Sequence, residues 1–106
     1  MTRGSTIVAL FVSGLGLMQS NCLAADITQG QQLAQRWCVS CHLVAGDQHK
    51  AGTDAPPFAT IARRNDFDVN RLSQFLLNPH PKMPSMSLTR SEAIDIASYI
   101  GSLGTK

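Results

Sequence analysis

Charge is scarce in this chain of 106 residues: Asp, Glu, Lys and Arg make up 15% of it, and nine Lys and Arg against seven Asp and Glu leave a formal net charge of +2. That near-neutral balance offers no electrostatic footprint for a polyanion. Apart from Arg63 and Arg64 the basic residues are scattered, and no run of them interleaves with aromatics as a nucleic-acid groove requires, so no nucleic-acid partner is expected. Cysteine is scarce too, and a total of three is odd, which argues against a disulfide framework. Long apolar runs are missing. The most apolar stretch, Ile7 to Met18, has 12 residues and includes Gly14 and Gly16, well short of the roughly twenty that a spanning helix needs, so no transmembrane anchor is expected. No internal repeat occurs, and no segment alternates convincingly as a strand.

What the N-terminus does have is export grammar: Arg3, the apolar stretch, then a polar segment closing on Cys22-Leu23-Ala24-Ala25. Residues 1–25 read as a signal peptide removed after Ala25, or after Ala24, which directs the chain to the periplasm. The mature domain is then residues 26–106, 81 residues long. Cys22 could be a lipidation site, but Gln19-Ser20-Asn21 lacks the Leu and small residues that bacterial lipoproteins place there, so it is expected to leave with the leader. Cys38 and Cys41 remain as the mature thiols, in an oxidising compartment where two close cysteines need a reason. A domain this small also needs more than its own apolar side chains to hold it together, and a buried cofactor is one way to supply that.

Four helical segments are predicted. The first covers Asp26 to Trp37, with Thr28 and Gln31 spaced as a capping box and Leu33 and Trp37 on one face. Residues 43–55 lack periodicity and form a loop long enough to wrap something. Pro57 opens a short helix through Arg64, with Phe58, Ile61 and Ala62 inward. A third helix follows Asp68, burying Val69, Leu72, Phe75 and Leu76, and Asn78-Pro79 stops it. Prolines 79, 81 and 84 hold the next segment extended, and a last helix is capped by Thr89 and Glu92 and carries Ile96, Tyr99, Ile100 and Leu103 in one stripe before Gly104.

The residues that carry chemistry are Cys38-Val39-Ser40-Cys41-His42. Two cysteines separated by two residues can add across the two vinyl groups of a haem, and the histidine that follows falls beneath the iron as proximal ligand. Zinc and a redox dithiol compete for the same residues. Zinc wants a second ligand pair, whereas His49 and His80 are single and no other mature cysteine exists. A thioredoxin-like dithiol sits beside a βαβ pattern, which four helices do not provide.

In order and spacing the whole mature chain resembles the class I bacterial cytochromes c. The resemblance is carried by the Gly30 helix running into Cys38-Val39-Ser40-Cys41-His42, by Ala55-Pro56-Pro57-Phe58 as a haem-wall segment, by Lys82-Met83-Pro84 as a methionine-ligand loop, and by the capped last helix with Tyr99. It implies an all-α, compact fold of about four helices around one covalently bound haem c. It implies His42 and Met83 as the two iron ligands, with Met86 the competitor for the second role, and a carbonyl of Pro56 or Pro57, Pro56 by alignment, fixing the His42 ring. It also makes Gly30 and Tyr99 the crossing point of the first and last helices. Phe58 is taken as a haem-binding residue, with Trp37, Phe67, Phe75 and Leu76 as further porphyrin cover.

The function so implied is one-electron transfer in the periplasm, between a dehydrogenase and a downstream acceptor, with no catalytic residue and a redox protein as partner. Two alternatives stand beside it. One is a tightly bound haem c subunit of a periplasmic oxidoreductase, such as a molybdenum sulfite dehydrogenase, which near-neutral charge slightly favours. The other is a five-coordinate haem sensor or peroxidase, for which His80 is the nearby acid-base group.

Overall fold

The structure is a computed structural model that describes residues 14, 16, 24–48, 50–52, 54–79 and 81–104. Residues 1–25 apart from Gly14, Gly16, Ala24 and Ala25 lie outside these, Cys22 among them, as do His49 and His80, so the expected signal peptide falls largely outside the described residues. The described residues form an all-α fold of four helices with no strand: α1 (Ile27–Trp37), α2 (Phe58–Ala62), α3 (Val69–Leu77) and α4 (Arg90–Ser102). None of these helices is long and apolar enough to cross a membrane.

Local chemistry accounts for each boundary. Asp26 caps α1, its carboxylate accepting from Gln29 N at 2.9 Å, so the cap is Asp26 and not the Thr28 and Gln31 pair expected from spacing. Thr28 is already inside the first turn. Asp68 caps α3 in the same way, through Arg71 N at 2.7 Å. At α4 the reciprocal box is complete: Glu92 N donates to Thr89 Oγ1 at 3.1 Å and Thr89 N donates to Glu92 Oε2 at 2.8 Å, satisfying two otherwise orphaned amides. Helix α2 stops at Ala62, two residues before its expected end, because Arg63 takes φ −90° and ψ 0°.

α4 is the centre of the molecule, packing against α1, α3 and α2, with the longest seam along α1. Ala93, Ile96, Ala97 and Ile100 on its inner face are buried, and Leu33, Ala34, Phe58 and Leu76 close over them. The α1 seam is tight at one point. A Cβ on Gly30 would run into the Asp95 carbonyl and come within 2.9 Å of Tyr99 Cβ, so only glycine lets the two backbones meet there.

Phe75, expected to be buried by its helix, is not, and Trp37 is partly exposed as well. Phe75 is 40% exposed, because α3 meets α4 along the stripe of Val69, Leu72, Ser73 and Leu76, and Phe75 lies about 100° around the helix from it. Trp37 shares the stripe of Leu33 but sits in the last turn of α1, where it is 44% exposed and its ring centroid lies 5.1 Å from the Arg36 guanidinium.

Candidate functional site

The last turn of α1 hands the chain straight to the cysteine segment. Cys38 N donates to Ala34 O at 2.8 Å, and the turn is then carried forward by Cys41 N and His42 N, which donate to Cys38 O at 3.1 and 2.9 Å. Cys38, Cys41 and His42 are therefore held within a single turn. Cys38 is buried, Cys41 and His42 are half-buried, and the two thiols are not joined as a disulfide. Burial, reinforced by the charge Cys41 would carry as a thiolate, pushes the Cys38 thiol up to about 11, so it stays neutral near pH 7.

The His42 ring is fixed from two sides. Its Nδ1 lies 2.7 Å from the Pro56 carbonyl, and its centroid lies 5.2 Å from that of Phe58 at an interplanar tilt of 47°. A carbonyl can only accept, so Nδ1 carries the proton and Nε2 keeps its lone pair for a metal. Pro56 is exposed and Phe58 is buried at the start of α2. The Phe58 amide donates to Leu43 O at 2.9 Å, which ties this helix start to the residue after His42.

The described part of residues 43–55 folds back over the motif. The anchor is Gln48, a residue that no motif singled out. Its Oε1 accepts from Val44 N at 2.9 Å, while its Nε2 faces Lys50 O at 2.9 Å, His42 O at 3.1 Å and Val39 O at 3.3 Å. One side chain thus joins the middle of the cysteine pair, the histidine and the loop beyond. Gly52 adds a backbone bond to Ser40 O at 3.0 Å, and a Cβ there would approach that oxygen to 2.6 Å. Tyr99 of α4 closes the assembly from below, its hydroxyl donating to Val44 O at 2.5 Å. Burial and then the negative charge of Asp47 raise the Tyr99 pKa, which keeps that donor protonated.

Met83 reaches the core from the extended segment between α3 and α4. It is half-buried and packs against the cluster that includes Cys38 and Phe58. Met86 is also half-buried but does not number among the side chains packed there. The segment turns at Ser87, whose φ of 51° is left-handed, and this leads the chain into the Thr89 cap.

The donor set suits a covalently attached haem: two thiols one turn apart, an imidazole with its outer nitrogen tied back, and a thioether at the core. It does not suit a bare ion, since among the described residues no three His, Cys, Asp or Glu side chains gather to hold one.

Comparison with known proteins agrees with this chemistry. A family model described as "Cytochrome C oxidase, cbb3-type, subunit III" matches residues 25–100. Cytochrome c-552 of Bradyrhizobium diazoefficiens is 60% identical over 101 residues, covering 95% of this chain and 93% of its own. No solved structure matches.

Proposed function

The chain belongs to the c-type cytochromes, as a small class I member with covalently bound haem c that carries electrons and is not an enzyme, and from that premise we propose that it is an exported, six-coordinate His/Met cytochrome. Cys38 and Cys41 would form the thioether links, His42 Nε2 the proximal bond and Met83 Sδ the distal one. Pro56 and Phe58 would orient the imidazole. The observation that supports this reading is the 2.7 Å contact between His42 Nδ1 and Pro56 O, which leaves the other ring nitrogen its lone pair for a metal.

When bound, haem iron supplies a one-electron couple between its ferric and ferrous states. The residues of the chain decide how that couple is used. With His42 and Met83 both holding the iron, no coordination site would be left for substrate, so exchange would be outer-sphere, and the neutral thioether of Met83 would favour the ferrous state and raise the potential. The Gln48, Gly52 and Tyr99 bonds hold the attachment turn fixed while the charge changes. A periplasmic dehydrogenase or oxidase is the partner class. Export is supported by the leader pattern and by the family match, which begins at residue 25.

Substitution tests the ligand set. In ferric holoprotein, Met83→Ala abolishes the long-wavelength methionine-to-iron absorption band and lowers the reduction potential, whereas Met86→Ala leaves both in place. A band that survives Met83→Ala would remove Met83 as ligand and reopen the five-coordinate alternatives. A second reading, a haem subunit held in an oxidoreductase, is favoured by the matched family's description as an oxidase subunit. Size-exclusion of the native protein separates the two: the carrier elutes as a small monomer, and the subunit elutes with its partner.

A further inference from the structure

Asp26 takes part in an arrangement that electron transfer does not use. Its backbone nitrogen lies 2.8 Å from Oδ1 of Asp95, a carboxylate on α4 that is only 7% exposed. The Asp26 carboxylate is already engaged as the cap of α1. Among the described residues, the hydrogen bond that reaches the Asp95 side chain is this one from a backbone amide. A single amide dipole is a poor counterpart for a buried negative charge, which ordinarily has a full opposite charge beside it.

That nitrogen is the atom that leader removal after Ala25 would convert. We propose that cutting between Ala25 and Asp26 creates an ion pair at the edge of the core, the new α-ammonium of the exposed Asp26 against the buried Asp95 carboxylate, which locks α1 onto α4 in the mature protein. In the cut, water adds across the Ala25–Asp26 peptide bond under a leader peptidase. Its hydroxyl goes to the Ala25 carbonyl carbon, and its other proton, with the proton of the acid so formed, goes to the Asp26 nitrogen. The products are a leader ending in the Ala25 carboxylate and a domain beginning with an ammonium.

The reading frame of the cut follows from this geometry. Removal after Ala24 would leave an amide at Asp26 and carry the positive charge one residue away, onto an exposed Ala25. The charge would also stand at the N-terminus of α1, where the helix dipole disfavours a cation, and the carboxylates of Asp26 and Asp95 offset that cost. The pair lies at the seam where Gly30 meets the backbone of Asp95, so it tightens the helix that carries Cys38. The uncut chain lacks it and is the less stable of the two.

The pair presupposes the export reading, and the experiment keeps the two apart. Holoprotein exported with its own leader is sequenced from its N-terminus, and Asp95→Asn is introduced both in this chain and in one whose cut is moved two residues upstream. Asparagine retains an acceptor for the nitrogen, so the difference between backgrounds reports the charge. Asp95→Asn is expected to lower Tm by about 4–8 °C in the chain starting at Asp26, and by less than half as much in the extended chain. Acylation of the α-amino group in proteins with Asp95 intact supplies a reading that needs no variant to fold. The paired amine reacts about tenfold more slowly than that of the extended chain, as expected for a pKa raised by one unit. A start at any residue other than Asp26 overturns the export frame and the pair with it. A start at Asp26 with equal Tm losses and equal acylation rates overturns the pair alone.

Discussion

Single residues in this protein act through the main-chain groups they satisfy. Gln48 engages one amide and three carbonyls, so Gln48→Ala strands several partly buried polar groups at once. Net contributions of about 1 kcal/mol per good hydrogen bond put the cost near 2 kcal/mol, measurable by denaturant unfolding of the holoprotein. Gln48→Glu keeps the acceptor for Val44 N but loses the donor, and should recover only part of it. Tyr99 acts on the same loop with a pH signature. Its folded pKa is raised above the ordinary 10.0, so its contribution is complete below pH 10 and fades as pH rises through the raised value, the unfolded chain ionising first. Tyr99→Phe should therefore cost about 1 kcal/mol near neutrality, and the gap from wild type should close at strongly alkaline pH. A gap that is constant across that range would assign the alkaline loss to other groups.

At the level of elements, the α1–α4 crossing sets two effects of one substitution against each other. Helix propensity alone says that Gly30→Ala gains close to 1 kcal/mol. The Cβ, however, would meet the Asp95 carbonyl, a backbone atom that no rotamer change can clear, and overpacking of this kind costs about 1–3 kcal/mol. Packing should win: Gly30→Ala lowers Tm, and a raised Tm would mean that the helices can slide apart at no cost. Elements were also the level most legible in the sequence. Asp68, Thr89 with Glu92, and Asn78 mark helix ends by chemistry confined to neighbouring residues, and the α4 stripe repeats at helical spacing. The short motif was legible for the same reason, since Cys38, Cys41 and His42 are adjacent. Gln48 was not, because its partners are gathered by the loop closing on itself. The exposure of Phe75 depends on which stripe of α3 meets α4, and that of Trp37 on its place in the last turn of α1, and tertiary packing decides both.

For the whole molecule, the fully enclosed interior is small. Among the described residues the apolar side chains with almost no exposure are Ile96, Ile100 and Val44 together with Ala34, Ala93 and Ala97, while Leu33, Phe58, Leu76 and Tyr99 are buried around them. Meanwhile Trp37, Phe75, Leu77 and Val39 leave substantial apolar surface uncovered by protein. A chain of this size with so small an interior falls where a cofactor or cross-link is ordinarily needed for folding. The family's covalent haem supplies one, and a group bound only by the folded state stabilises that state by mass action even before attachment makes it permanent. Residues 26–106 produced without haem should therefore be largely unfolded, with little helical signal in far-ultraviolet circular dichroism and no cooperative thermal transition, while the holoprotein shows both. A sharp transition in the haem-free chain would mean that the α4-centred core suffices, and that Cys38, Cys41 and His42 receive haem on a scaffold already built.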